Sequence, residues 1–100
     1  MSEEKLCGVY KAVSLIGSKW VLLILYKLCY AKKGFNELLR EIDGISPRIL
    51  SLRLKDLADH GLVHKEVFPT TPPRVEYSLT PKGASLKSVI SSLGDWADTV

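Results

Sequence analysis

The stretch from Gly44 to Leu79 constrains this chain most, because it reads as a basic helix running straight into a β-hairpin with a proline-stiffened tip. Ser46 before Pro47 is an N-cap followed by the one helical position where a missing N–H costs nothing, so a helix is predicted to start there and to stop at Gly61. Leu50, Leu54 and Leu57 recur at helical spacing, leaving Arg48, Ser51, Leu52 and Lys55 on the other side and Arg53 on the flank. A helix buried along one stripe and presenting Arg, Ser and Lys outward suits the major groove of DNA, where arginine grips guanine bidentately.

The flanking pattern extends this unit into a domain. A first helix is predicted from about Val9 to Ile16, and Gly17-Ser18 turns the chain into a buried helix from Lys19 to about Tyr30. Lys32-Lys33-Gly34 reads as a break. Phe35, Leu38, Leu39 and Ile42 then make a single apolar stripe on a short helix that ends at Asp43-Gly44-Ile45, a connection of helix-turn-helix length. Val63, Lys65 and Val67 alternate with His64, Glu66 and Phe68, and Val75, Tyr77 and Leu79 alternate with Glu76 and Ser78, predicting two half-buried antiparallel strands. Thr80-Pro81 repeats the cap-and-proline signal and opens one last helix carrying Leu86, Val89, Ile90, Leu93 and Trp96 on one face. The expected fold class is α+β, mainly α: a winged helix-turn-helix with a two-stranded wing and extra N- and C-terminal dimerisation helices.

One hundred residues of which 46% are hydrophobic support a single domain over 1–100, small enough to gain from burying more surface in a partner. The formal charge of +3 decides little alone, but its distribution says more. Lys32, Lys33, Arg40, Arg48, Arg53 and Lys55 outweigh Glu37, Glu41 and Asp43, whereas acidic residues prevail from Asp56 to Thr80. The MSEEK opening is acidic and leads into no apolar leader core, as expected of a chain that stays in the cytoplasm. Trp20–Tyr26 is strongly apolar, yet Lys19 and Lys27 bracket it and it is far shorter than the roughly 20 residues of a membrane span. No membrane association follows. Cys7 and Cys29 are expected as reduced thiols.

The chain resembles the HxlR-type family of winged-helix transcriptional regulators, a branch of the MarR-like group. The resemblance runs from Cys7 to Trp96 and rests on an ordered set: Ile16-Gly17-Ser18-Lys19-Trp20, Phe35-Asn36-Glu37-Leu38, Gly44-Ile45-Ser46-Pro47-Arg48, Gly61-Leu62-Val63, and Pro72-Pro73-Arg74-Val75-Glu76-Tyr77-Ser78-Leu79-Thr80. It implies a cytoplasmic homodimer on double-stranded operator DNA of inverted symmetry, the dimer built largely from the terminal helices. Position 52 departs from the pattern: Leu52 stands where the family often has a glutamine, which favours contact with a thymine methyl over paired hydrogen bonds to a base. Some relatives sense electrophiles or oxidants through an N-terminal cysteine, commonly followed by proline; here Cys7 precedes Gly8.

The candidate DNA contacts are therefore Lys32, Lys33, Ser46, Pro47, Arg48, Ser51, Leu52, Arg53, Lys55 and Arg74. Arg53, at the edge of the apolar stripe, is open to pairing with an acidic neighbour, and the prolines beside Arg74 would hold it out at low entropic cost. Lys32 and Lys33 would position the protein on phosphates rather than specify sequence. The last apolar stripe, joined by Leu6, Val9 and Val13, is the expected dimer seam, since the core is already supplied by the Trp20–Tyr26 helix and the Phe35 helix. Cys7 has two readings, packing near that seam or thiol sensing. His60 and His64 stand at no metal-ligand spacing to either cysteine, neither a metal nor a cofactor is implied, and the identity of any effector is left open. A nucleophile elbow and a phosphate-binding glycine loop are missing from the sequence, which speaks against an enzyme. A winged helix that binds proteins instead of DNA is the rival reading.

Overall fold

The computed structural model describes the backbone of residues 3–100 and the side chains from residue 7 on. Helix α1 (Glu3–Ile16) begins earlier than the sequence predicts, and Gly8 does not interrupt it. Helix α2 (Lys19–Leu28) leaves the Cys7–Ile16 part of α1 at 76°. No single helix among the described residues is long and apolar enough to cross a membrane.

The core forms where α2 meets the winged unit. Val21, Ile24, Leu25 and Leu28 of α2 are buried against α3 (Phe35–Glu41), α4 (Pro47–Asp59) and the sheet, through Leu38, Leu50, Leu54, Leu57 and Tyr77. Gly44 makes the helix-turn-helix connection possible: its φ of +83° suits a residue without a Cβ, and it lets both Ile42 and Ile45 turn inward. Ser46 caps α4 as its sequence predicts, its hydroxyl accepting from the Ile49 N–H at 3.1 Å with Pro47 in the first turn.

The sheet has three antiparallel strands in the order β1 (Lys33–Gly34), β3 (Arg74–Leu79), β2 (Val63–Phe68). The wing is the β2–β3 hairpin, in register with Val63 opposite Leu79 and Phe68 opposite Arg74. Strand β1 occupies the other edge of β3, with Lys33 opposite Tyr77, where the sequence predicts only a break. Two residues are too few for side-chain alternation to reveal. Strand β2 is also less buried than its alternation predicts: Val63 is buried but Val67 is 57% exposed, because the outer half of the hairpin projects past the core.

The predicted last helix is two. Helix α5 (Pro81–Ala84) is a single turn opened by Thr80, whose hydroxyl accepts from the Gly83 N–H, and α6 (Lys87–Ala97) follows after Ser85 and Leu86. The ladder tightens between them: the Leu86 N–H reaches the Gly83 carbonyl three residues back, and the Ser85 hydroxyl donates to the Lys82 carbonyl. Thr80 also donates to the Gly61 carbonyl and Lys82 to that of His60, so α5 closes over the C-terminus of α4. Gly83 seats this contact. A Cβ there would collide with the Leu62 carbonyl, so Gly83→Ala should cost about 1–3 kcal/mol of stability, read as a lower urea midpoint at unchanged slope.

Candidate nucleic-acid interface

Three leucines on the inward face of α4 fix its rotation. Leu50, Leu54 and Leu57 are each no more than 2% exposed, which leaves Ser46, Pro47, Arg48, Ser51, Leu52 and Lys55 at the surface. Leu52 is 48% exposed, a sizeable apolar side chain in the middle of a polar face. Lys55 lies 3.4 Å from Asp59 one turn on, a surface pair that solvent screens.

Arg53 does not join this group. It is half buried behind the helix, its Nη1 3.4 Å from the Asp56 carboxylate and its Nε shielded from solvent without a hydrogen-bond partner. It lines a cleft between α4 and the α1–α2 turn. Lys33 is likewise withdrawn: its ammonium sits 3.0 Å from Glu41, and its side chain is only 15% exposed, whereas Lys32 beside it is exposed. The pairing partner is eight residues away on another element, a distance at which sequence gives no signal.

On the wing, Arg74 lies with its guanidinium carbon 4.7 Å from the centre of the Phe68 ring and its Nη2 3.5 Å from the Glu76 carboxylate. Phe68 and Glu76, which sequence reasoning left out of the candidate site, thus hold the wing arginine in place. The cross-strand register of Phe68 and Arg74 was the signal available for the first. The hairpin tip is tied by the Thr70 hydroxyl donating to the Pro72 carbonyl at 2.7 Å, and Lys65 is exposed along β2.

The predicted dimer stripe divides into two faces. Leu86 and Ile90 are half buried against the core, while Val89, Leu93 and Trp96 are 44%, 47% and 66% exposed. The break between α5 and α6 shifts Leu86 inward. Val9 and Val13 on α1 are 52% and 60% exposed, and the side chain of Leu6 lies outside the described residues. Cys7 is exposed; Cys29 is half buried between α2 and α6, where burial pushes its thiol up against the opposing field of Lys87. His60 donates from Nδ1 to the Asp56 carbonyl at 2.7 Å, and no group of three metal-ligating side chains occurs among the described residues.

The HxlR-like helix-turn-helix family model matches residues 15–100, the stretch that holds both the helix-turn-helix and the hairpin. The chain belongs to this family. Among HxlR-like proteins, an uncharacterized HTH-type transcriptional regulator of Methanothermobacter thermautotrophicus is 44% identical over 94 residues, covering 94% of this chain and 72% of its own length. The redox regulator HypR, in its oxidized form, superposes with a TM-score of 0.88 at 37% identity, covering 94% of this chain and 97% of HypR. A transcriptional regulator assigned to the MarR family, from Enterococcus faecalis V583, superposes with a TM-score of 0.86 at 42% identity over 99% of this chain and 90% of its own. The HxlR-like chain described above is thus a winged helix-turn-helix of the MarR-like group.

Proposed function

We propose that this chain is a sequence-specific DNA-binding transcription regulator, a single domain over 1–100 that acts in the cytoplasm as a homodimer on an inverted-repeat operator. The observation that carries the reading is the outward face of α4, where Arg48, Ser51, Leu52 and Lys55 stand exposed over a fully buried leucine stripe. Arg48 reads a base edge, Leu52 packs on a thymine methyl, and Ser46, Pro47, Ser51 and Lys55 fix the helix in the major groove. Arg74, stacked on Phe68, reaches the minor groove or its phosphates, and Lys32 adds a phosphate contact. Arg53 and Lys33, paired with carboxylates as Lys55 and Arg74 are but with side chains more withdrawn from the surface, contribute less than their charge suggests.

Val89, Leu93 and Trp96 of α6, with Val9 and Val13 of α1, supply the apolar surface on which two copies pair. Binding to a duplex in rising salt tests the reading. With about six phosphates neutralised by a dimer, affinity should fall roughly a thousandfold between about 50 and 200 mM salt while the sequence preference survives. Salt-insensitive association, or none, would oppose it.

Thiol responsiveness is part of the proposal, supported by the exposure of Cys7 in the N-terminal half of α1 and the likeness to a redox regulator. Mild diamide treatment should weaken operator binding of the wild type and leave Cys7→Ser unaffected. Cys29, whose thiol burial holds above its usual range, should react more slowly, as mass mapping of the modified chain would show. Equal affinity before and after treatment would leave Cys7 a packing residue.

A further inference from the structure

The wing carries its charge in an arrangement that opposes DNA as much as it attracts it. Between Val63 and Leu79 the basic side chains Lys65 and Arg74 are balanced by Glu66 and Glu76, so the hairpin has no net formal charge when His64 is neutral. The register puts Glu66 directly opposite Glu76 and Phe68 opposite Arg74, on the face turned away from the buried Val63 and Tyr77. Like charges facing each other across a ladder destabilise it, and on its other side Glu76 meets only Gly34 of β1. Arg74 is the cation that offsets the pair: its Nη2 lies 3.5 Å from Glu76, while Glu66 forms no ion pair among the described residues.

Arg74 therefore has an occupied resting place, stacked on Phe68 beside one carboxylate and one ladder step from a second. To touch DNA it exchanges Glu76 for the duplex, and a single phosphate at the protein surface offers it much the same charge at much the same distance. A narrow minor groove offers more, because its negative potential is enhanced. We propose that Glu76, backed by Glu66, is a specificity-determining residue: it withholds Arg74 from phosphates of arbitrary sequence and releases it to a narrow minor groove beside the bases that α4 reads. This role rests on the DNA-reading function proposed above and sets what the wing adds to it.

Glu76→Gln keeps the shape of the side chain and removes its charge. Affinities of wild type and variant are measured across a salt series for two duplexes of equal length, one that wild type enriches from a random pool and a scrambled version of it. The variant should bind the scrambled duplex at least about threefold more tightly, with a salt dependence steeper by about one phosphate contact per protomer, and should gain less on the enriched duplex. Both changes should largely disappear when Glu76→Gln is combined with Arg74→Ala. Glu66→Gln, at an exposed position, should act more weakly in the same direction, which covers the case in which Glu76→Gln fails to fold. Equal binding of the two duplexes by wild type would overturn the DNA-reading function and this role with it. A wild type that prefers the enriched duplex would overturn the glutamates' role alone if the folded variant kept wild-type affinity and salt dependence on the scrambled duplex, or if its gain were undiminished by Arg74→Ala.

Discussion

Trp96→Glu and Leu93→Glu are each expected to turn a dimer at micromolar concentration into a monomer in sedimentation velocity. Trp96 is 66% and Leu93 47% exposed on the face of α6 turned from the core, so neither substitution disturbs the buried cluster on α2 and α4. In a closed two-fold seam each substitution introduces its charge twice, and a carboxylate stripped of water without a partner costs on the order of several kcal/mol. Operator affinity should fall with assembly, because tethering the second reading helix raises its effective concentration and is worth about 10²–10⁴ in avidity. Ile90→Glu should behave differently. Ile90 packs against the core, so that variant should lose thermal stability as well as pairing. Intact dimers for both Trp96→Glu and Leu93→Glu would place the interface elsewhere.

Arg48→Ala should lower binding to the preferred site by about 1–3 kcal/mol and relax the preference at one base pair. Lys32→Ala should weaken preferred and random duplexes alike and flatten the salt dependence by about one phosphate contact. Lys33→Ala is the control that the ion pair supplies: its ammonium already serves Glu41 at 3.0 Å, so its loss should change DNA affinity less than that of Lys32. Equal binding of operator and random DNA by wild type and Arg48→Ala would remove α4 from the reading role.

The parts of this fold that follow from local signals were legible in the chain. Ser46-Pro47 and the Leu50, Leu54, Leu57 spacing carry the start and the rotation of α4, and the alternation through Val63–Phe68 and Arg74–Leu79 carries the hairpin. What escaped depends on contacts between elements. Strand β1 exists because β3 has a free edge beside Lys33-Gly34, and Arg53 turns inward because the α1–α2 bend leaves a cleft behind α4. The periodic stripe from Leu86 to Trp96 gave no sign of the tight turn at Ser85-Leu86, which sends Leu86 and Ile90 to the core and Leu93 and Trp96 to the surface. The outward set on α4 was legible for the same reason as the core, since burying one side of a helix decides the other.

Selection of bound duplexes from a random-sequence pool tests the central claim most directly. A dimer presenting two copies of α4 should enrich an imperfect palindrome whose half-sites lie about 10 base pairs apart, centre to centre, or a multiple of that spacing. Enrichment of an unpaired half-site, or of no sequence above the starting pool, would contradict it.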